Sequence, residues 1–338
     1  MFWKILPYNT TLASRTMSKE HINHKHIADF ADSHVNLPRE KAARYRKQVN
    51  DLRERLENRL KEDSGYKLKR MLLSGSLAKG TALRSLNDID VALYVLQEGP
   101  PSDMLKFINW LVDTLRTLYP NMDSSQIQPQ QHSVCISFRG SGLDVDIVPI
   151  AYDGNLEWDG YLYPIGADDW LMTNIPKHLE FIRKRKKAHP QHFAQVVRLL
   201  KYWVKEVKKR NEGFRFKSFL VELICAHLAD HNKIKMGDYV EALADYFNFI
   251  AGGGLGGMIV FEDYYKKDEV RDDGKPIRVF DPVNPGNNVA KTYTQGDKMA
   301  IEGAASDAAD AVDAALYAIT KGETVRYWQK VFGPSFGG

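Results

Sequence analysis

The sequence predicts an α/β (α+β) protein in two parts, with a mixed sheet in the first half of the chain and helices in the second. Three segments of the first half, 89–95, 133–138 and 143–148, are rich in β-branched and aromatic residues, as strands are. Beyond about Asp168 the apolar residues instead recur every three or four positions, which is typical of helices. The chain has 338 residues, 43% hydrophobic and 27% charged. It is therefore long enough for one large or two medium domains and is unlike a disordered, collagenous or disulfide-stapled chain.

The first long element is a helix predicted to follow the start signal Asn36-Leu37-Pro38. One face of this helix is apolar, with Ala42, Tyr45, Val49, Leu52, Leu56 and Leu60 three or four residues apart. A second helix is predicted over 104–118, before Pro120. Residues 139–142, Arg-Gly-Ser-Gly, have the chemistry of a hairpin turn and separate the last two strands.

The second half is predicted to form helices over 193–210, 217–232, 239–250 and 304–319. We accordingly predict that residues 17–165 hold the long N-terminal helix and the sheet core, and that residues 166–338 form a helical lobe. Residues 1–16 are predicted to be an upstream extension, because a second Met at position 17 opens a polar stretch.

The net charge, the two cysteines and the lack of a long apolar run limit the kinds of site and the cellular location that the sequence predicts. The net charge of +4 indicates no particular partner by itself. Cys135 and Cys225 lie far apart with no other thiol, so neither a disulfide framework nor a cysteine-based zinc site is predicted. No apolar run approaches the ~20 residues that a membrane-spanning helix needs. We therefore expect a cytoplasmic protein without a membrane span.

Three carboxylates are predicted to converge on the sheet. Asp88 and Asp90 are two positions apart at a strand entry, so their side chains share one face, and Asp146 comes from a later strand. Upstream lies Gly75-Ser76, where small residues let backbone N–H groups approach a phosphate and Ser76 adds a hydroxyl donor. Such carboxylates require cations, and hard oxygen ligands suit Mg²⁺. The set predicts a two-metal phosphoryl-transfer site.

Asp144 is an alternative ligand. It lies two residues before Asp146 on the same strand face, so geometry alone leaves the choice between them open. If Asp144 is not a ligand, it is expected to be a hydrated carboxylate at the strand entry.

The ordered motifs resemble polymerase-β-type nucleotidyltransferases. The resemblance rests on residues 74–83 (SGSLAKGTAL), 88–91 (DIDV) and 145–149 (VDIVP). In the second half, residues 198–203 (RLLKYW) are similar to the oligoadenylate synthase helix whose lysine holds the donor triphosphate, and 281–285 (DPVNP) are similar to the Asp-Pro-x-x-Pro loop of those enzymes. From Met17 onward the chain most resembles the cGAS/DncV-like nucleotidyltransferases (CD-NTases) of bacterial anti-phage CBASS systems, in particular their C clade.

The resemblance implies a role for each matching residue. The metal-binding triad is implied to be Asp88, Asp90 and Asp146, since the register of the family favours Asp146 over Asp144; Asp146 would also help deprotonate the attacking ribose hydroxyl. The implied ATP contacts are Gly75, Ser76, Lys201, Ser218 and Phe219, with Phe219 at a position where the family often carries a base-stacking tyrosine.

The resemblance also implies an activity and partners. The expected reaction is Mg²⁺-dependent synthesis of a cyclic oligonucleotide, cyclic tri-AMP, from ATP with release of pyrophosphate, using two Mg²⁺ ions that Mn²⁺ could replace. Other nucleoside triphosphates are further possible substrates. The implied partners are a HORMA-domain activator, a Pch2/TRIP13-like AAA+ ATPase that disassembles the complex, and an effector nuclease that reads the product.

Two other functions remain open at this stage. A linear oligoadenylate synthase would use the same three carboxylates, and a non-catalytic scaffold would bind nucleic acid through basic surface. Residues 183–210 hold eleven basic residues and one acidic residue. We assign the part near Lys201 to nucleoside triphosphates and leave 183–187 open between a protein partner, nucleic acid and solvent.

Overall fold

The computed structural model describes residues 21–62, 67–96, 104–130, 133–152, 154–162 and 171–337. The predicted upstream extension, residues 1–16, and the predicted boundary between residues 165 and 166 both lie outside the described residues.

A mixed sheet forms the centre of the first half. Within the described ranges it has seven strands: β1 (Lys67–Leu73), β2 (Asp88–Leu96), β3 (Ile127–Pro129), β4 (Val134–Phe138), β5 (Leu143–Tyr152), β6 (Gly160–Leu162) and β7 (Leu171–Thr173). The central order is β1-β2-β5-β4-β3, and β6 and β7 extend the sheet beyond β5. The β2 and β5 strands run parallel, whereas the other pairs are antiparallel. The predicted mixed sheet is confirmed, and its parallel pair sets the carboxylates side by side.

The first half of the chain has four α-helices in the described residues: α1 (His24–Phe30), α2 (Arg39–Glu62), α3 (Gly75–Lys79) and α4 (Met104–Leu118). All six residues of the predicted apolar face of α2 are buried. They form one hydrophobic core with α4 and the inner residues of β2, β4 and β5. The apolar periodicity of α2 thus follows directly from packing on the sheet.

The second half is mainly helical, with α5 (Ile175–Ala188), α6 (His192–Arg210), α7 (Ser218–Asp230), α8 (Tyr239–Ala251), α9 (Gln295–Tyr317) and α10 (Lys321–Phe332). The four predicted helices are confirmed, although α9 begins at Gln295 and not at residue 304. Thr294 caps the start of α9 by accepting a hydrogen bond from the Asp297 N–H. A small sheet of β8 (Met258–Ile259), β9 (Arg278–Asp281) and β10 (Asn284–Asn288) was not predicted, because its strands are too short to show a period.

The helix α5 also escaped prediction, because basic residues obscure its narrow apolar side. Phe181 and Ile182 are buried, and Arg185 is buried between two carboxylates, those of Asp230 at 2.6 Å and Asp263 at 2.7 Å. The 183–187 run is therefore not one solvated patch, since Arg185 belongs to the core of the helical lobe.

None of the helices in the described ranges is both long and apolar enough to cross a bilayer. Cys135, which is partly exposed, and Cys225, which is buried, are free thiols. The α1 helix, although it precedes the sheet, packs on the helical lobe, where Phe30 stacks on Phe332 at 5.3 Å between ring centroids.

Candidate active site

The parallel pairing of β2 and β5 brings four acidic residues together. Asp88 lies opposite Asp144, and Asp90 lies opposite Asp146. Residues two apart on a strand share a face, so these four side chains lie on the same face of the sheet. The sequence could identify each pair on its own strand, but only the register decides which carboxylates are neighbours.

Burial and mutual repulsion act on two of these acids. Burial raises the pKa of Asp90, and the charges of Asp88 and Asp146 raise it further, against the lowering effect of Lys79. Burial also raises the pKa of Asp146; a hydrogen bond from Cys135 lowers it, and the charges of Asp88 and Asp144 raise it. The folded chain therefore holds these carboxylates at an electrostatic cost that a cation would remove.

One carboxylate oxygen at this face has no partner. Asp146 Oδ1 is buried and accepts no hydrogen bond, a state that is unfavourable without a donor or a cation. Among the described residues, no three His, Cys, Asp or Glu side chains are placed so that they could hold a metal ion by themselves. The acidic face nevertheless fits a hard cation that shares its ligands between the chain and a phosphate, because it offers carboxylate oxygens of which one is unsatisfied.

Gly75 lets the carboxylate of Asp90 lie against residues 74–83, the segment that we call the nucleotide loop. Gly75 begins α3 with φ +62°, and a Cβ there would lie 2.0 Å from Asp90 Oδ2. The Ser74 N–H donates to the Asp90 carbonyl at 2.8 Å, so the loop and β2 are also tied through the backbone. Gly75 thus serves both the left-handed conformation and the close approach.

A cavity of about 620 Å³ opens beside these carboxylates. Seven of the eight predicted site residues line it: Gly75, Ser76, Asp88, Asp90, Lys201, Ser218 and Phe219. The eighth, Asp146, lies next to Asp90 on the neighbouring strand. Lys79, Lys205 and Lys208 also line the cavity, so with Lys201 four lysines share its wall with the carboxylates.

The predicted triphosphate lysine is part of a buried ionic network. Lys201 Nζ lies 2.5 Å from Glu222 Oε1 and 2.9 Å from the Thr81 hydroxyl. Lys79 Nζ lies 2.8 Å from the other oxygen, Glu222 Oε2. Burial lowers the pKa of Lys201, against the raising effect of Glu222. One acid on α7 therefore positions two lysines at the cavity wall.

Sequence reasoning missed Lys79, Thr81 and Glu222. Lys79 and Thr81 lay inside the nucleotide-loop motif, but their partner is more than 140 positions away along the chain. A signal for Glu222 was present, since it is a single acid between Val221 and Leu223 in an otherwise apolar helical stretch. An acid buried in such a helix needs a cationic partner.

Phe219 separates the first cavity from a second one. It lines both, together with Gly75, Lys79 and Asp90. The Lys79 ammonium lies 4.6 Å from its ring centroid, and the His178 ring packs edge-on at 5.7 Å. The second cavity, of about 450 Å³, is more apolar, with Val148, Ile150, Leu162, Leu171, Leu179 and Leu220 among its lining residues.

The Asp-Pro-x-x-Pro segment lies at the edge of the second cavity. Asp281 is buried and accepts hydrogen bonds from the Val283 N–H at 2.9 Å and from Asn287 at 3.2 Å. His178 Nε2 lies 2.7 Å from Asp281 Oδ1, which ties this segment to α5. The acid of the motif thus shapes the turn and orients the His178 ring toward Phe219.

Comparison with known proteins identifies the family of the chain. Residues 22–185 match the Second Messenger Oligonucleotide or Dinucleotide Synthetase (SMODS) domain family. The chain is 51% identical over 322 residues to a cyclic AMP-AMP-AMP synthase of Escherichia coli strain MS 115-1, covering 95% of this chain and 100% of that protein. It is 30% identical over 313 residues to the CBASS oligonucleotide cyclase CdnC of E. coli strain KTE188, covering 91% and 95%.

Solved structures show the same similarity in three dimensions. The structure of E. coli MS115-1 CdnC with ATP matches with a TM-score of 0.86 at 51% identity, covering 94% of this chain and 100% of that chain. The apo form of Vibrio cholerae DncV matches with a TM-score of 0.70 at 13% identity, covering 93% and 96%, which shows a shared fold. The chain, with its paired carboxylates and basic cavity on a nucleotidyltransferase fold, therefore belongs to the CD-NTases, the cyclic-oligonucleotide synthases of CBASS anti-phage systems.

Proposed function

We propose that this chain joins ATP into cyclic tri-AMP with release of pyrophosphate. The observation that carries the proposal is the pair of cavities that meet at Gly75, Lys79, Asp90 and Phe219. A nucleotidyl transfer needs a donor triphosphate and an acceptor hydroxyl on either side of one reacting phosphorus. Two cavities of about 620 and 450 Å³ are each within the range of small-molecule sites.

The first cavity is suited to the donor triphosphate. Ser76 and Ser218 supply hydroxyl donors, and Lys79 and Lys201 supply positive charge. Glu222 fixes both lysines, so little ordering is needed when the triphosphate binds. Phe219 offers an aromatic face on which a base can stack, in place of the tyrosine frequent in the family.

The second cavity is suited to the acceptor nucleotide. Its apolar side chains offer van der Waals contact to a base, while Asp90 at its border faces the junction with the first cavity. Asp146, next to Asp90, is the residue we assign to receive the proton of the attacking ribose hydroxyl. The acceptor oxygen would thereby meet the donor phosphorus at the carboxylates.

We assign Mg²⁺ binding to Asp88, Asp90 and Asp146, with two ions that Mn²⁺ could replace. When bound, the ions would neutralise these carboxylates and stabilise the charge that develops on the phosphoryl oxygens. The unpartnered Asp146 Oδ1 and the raised pKa of Asp90 and of Asp146 support this assignment.

The named relatives suggest the substrate and one partner. Proteins 51% identical to this chain are a cyclic AMP-AMP-AMP synthase and a CdnC solved with ATP and in complex with HORMA-deltaN. We therefore propose ATP as the main substrate and a HORMA-domain protein as activator. A Pch2/TRIP13-like AAA+ ATPase that disassembles the complex, an effector nuclease that reads the product, and a cytoplasmic location complete the proposal.

Incubating the purified protein with ATP and Mg²⁺, with and without the HORMA-domain protein, tests the reaction. The expected product is phosphatase-resistant, has the mass of cyclic tri-AMP and is matched by released pyrophosphate. Asp88→Asn with Asp90→Asn should remove the product while circular dichroism stays unchanged. A product with phosphatase-sensitive ends would instead identify a linear oligoadenylate synthase, and mixed nucleotides in the same assay would define base selectivity.

A further inference from the structure

A third cavity, of about 840 Å³, lies on the other side of the nucleotide loop. The loop residues alternate between the two cavities: Lys79 and Thr81 line the first cavity described above, whereas Gly80 and Ala82 line this one. We call it the rear cavity. The α2, α5 and α6 helices and residues 28–38 supply most of its remaining wall.

The rear cavity carries an excess of positive charge. Four basic residues line it, Arg39 and Arg46 from α2, Lys186 from α5 and Arg198 from α6, against one acid, Asp32. In the part of the chain that the structure describes, none of these four basic side chains makes a salt bridge. Lys186 and Arg198 are half-buried, where an unpaired charge is unfavourable.

Both half-buried cations donate to backbone carbonyls of the loop, and Arg198 also donates to Asn36 Oδ1 and Gln195 Oε1, each at 2.7 Å. Lys186 Nζ donates to the Lys79 carbonyl at 3.1 Å, and Arg198 donates to the Gly80 carbonyl at 2.7 Å. Burial lowers the pKa of Lys186, and the charges of Arg198, Arg183 and Arg46 lower it further. Like charges are thus brought together, and among the lining residues only Asp32 offers a compensating negative charge.

The shape of the rear cavity favours a small ligand. It is concave and of a volume that small-molecule sites commonly have. Leu37, Ala42 and Tyr239 add apolar wall next to the cations. A nucleic-acid duplex is convex and would meet the exposed Arg39 and Arg46, but it would leave Lys186 and Arg198 unpaired against the loop.

We propose that the rear cavity is a second anion-binding site, separate from the nucleotide site, for a small molecule that carries two or more phosphate groups. Arginine forks and a lysine ammonium from three helices match such a ligand, because phosphate oxygens accept from several donors at once. This proposal goes beyond the synthase activity and does not depend on the product that the enzyme makes.

Occupation of the rear cavity acts on the catalytic cavity through the loop. A ligand that draws Lys186 and Arg198 toward itself weakens their hydrogen bonds to the Lys79 and Gly80 carbonyls. The side chains of Lys79 and Thr81 bind Glu222 on the opposite side of that same loop. Binding at the two cavities is therefore coupled, and the coupling is reciprocal.

Calorimetric titration of the full chain with inorganic tripolyphosphate tests the site. The catalytic cavity is first saturated with a nonhydrolysable ATP analogue, and one additional tripolyphosphate site is expected. Arg46→Gln and Lys186→Gln should each weaken that binding at least tenfold. The matched controls Lys47→Gln on α2 and Lys187→Gln on α5 remove exposed charges outside the cavity and should change it less than twofold.

Two results would overturn the site. One is the absence of a second tripolyphosphate site, and the other is equal weakening by the cavity variants and their neighbours, which would indicate general surface charge. A short DNA duplex is titrated in parallel. If the cavity variants lost duplex binding while tripolyphosphate binding stayed unchanged, the four cations would belong to a nucleic-acid surface and the proposal would be wrong.

The coupling between the two cavities is tested by measuring how tripolyphosphate changes the affinity for the ATP analogue. Tripolyphosphate competes with the analogue at the catalytic cavity in the wild type and in Arg46→Gln alike, so the variant reports competition alone. We expect the analogue affinity to change at least threefold more in the wild type than in Arg46→Gln, at a tripolyphosphate concentration that fills the rear cavity of the wild type but not that of the variant. Identical changes would rule out communication through the loop.

Discussion

Lys201 Nζ and Glu222 Oε1 form a buried ion pair 2.5 Å long, with 5% and 2% of the two side chains exposed. The second oxygen of Glu222 pairs with Lys79 at 2.8 Å. The Thr81 hydroxyl donates to Oε1 at 2.6 Å. A single acid thus determines the position of two lysines that we assign to the donor triphosphate, and it joins the nucleotide loop to α7.

Replacing this acid should be costly. We expect Glu222→Gln to lower the free energy of unfolding by about 3–5 kcal/mol, because it leaves buried ammonium groups without a charged partner. Urea denaturation measures the change. The control is Glu241→Gln, which breaks an ion pair of 2.6 Å with Lys235 whose side chains are 50% and 71% exposed and should change stability by less than about 1 kcal/mol. Equal losses in the two variants would contradict a role for burial.

The stability difference between wild type and Glu222→Gln should depend on pH. Burial alone would raise the pKa of Glu222, but the charges of Lys79 and Lys201 and their hydrogen bonds outweigh burial and hold the pKa at about 2, below its usual 4.5. A lowered pKa means that the stabilisation is complete above pH 4.5 and is lost as the pH falls toward 2. The stability difference between wild type and Glu222→Gln should therefore shrink over that interval; a constant difference would argue against the ion pair.

Two glycines with the same φ allow the effect of backbone strain to be distinguished from that of a steric contact. Gly75 and Gly142 both have φ +62°, but a Cβ at Gly75 would lie 2.0 Å from Asp90 Oδ2, whereas a Cβ at Gly142 would have no atom within 4 Å. We expect Gly142→Ala to cost about 1–2 kcal/mol of stability, from the left-handed backbone alone, with activity retained. Gly75→Ala should also abolish product formation, because it displaces the Asp90 carboxylate. Synthesis by Gly75→Ala at the wild-type rate would show that this carboxylate can move without consequence.

The acidic face should destabilise the metal-free protein. Burial is the main cause that raises the folded-state pKa of Asp90 above its usual 3.8. The folded protein therefore loses stability as the pH rises from 3.8 through the raised pKa. In the presence of a chelator, Asp90→Asn should therefore unfold at a higher temperature than wild type at pH 7, and the difference should vanish near pH 3. The same substitution should remove synthesis. A variant that is no more stable than wild type at pH 7 would show that repulsion at this face is negligible.

The choice between the two acids of β5 can be tested in parallel. Asp146→Asn should lower synthesis at least a hundredfold, because it removes the carboxylate beside Asp90. Asp144→Asn, the control on the same strand face, should stay within a few-fold of wild type. The opposite outcome would transfer the ligand role to Asp144.

Phe219 should act through its aromatic face. We expect Phe219→Ala to weaken binding of a nonhydrolysable ATP analogue by about 1–3 kcal/mol, the range for one base stacked on a ring. Phe219→Tyr keeps the ring and should bind within threefold of wild type. Fluorescence titration measures the affinity of each variant for the analogue. An unaltered affinity in Phe219→Ala would show that Phe219 is not part of the base-binding surface.

Most of the elements could be predicted because their periodicity is local. The apolar face of α2 and the entry of Asp88 and Asp90 into β2 are properties of neighbouring residues, and the structure has both. The α5 helix was not predicted, since Arg185 resembles a surface charge until Asp230 and Asp263 are seen beside it.

By itself the sequence determined the alternation that puts Asp88 and Asp90 on one face, and the motifs that indicate a nucleotidyltransferase. Only the tertiary structure decided that Asp146 lies opposite Asp90, because strand register depends on pairing across more than fifty residues of chain. Tertiary structure alone also brought Lys79 to Glu222, 143 positions away. A buried charge can be balanced by any residue that folding brings near it, and sequence spacing carries no record of that distance.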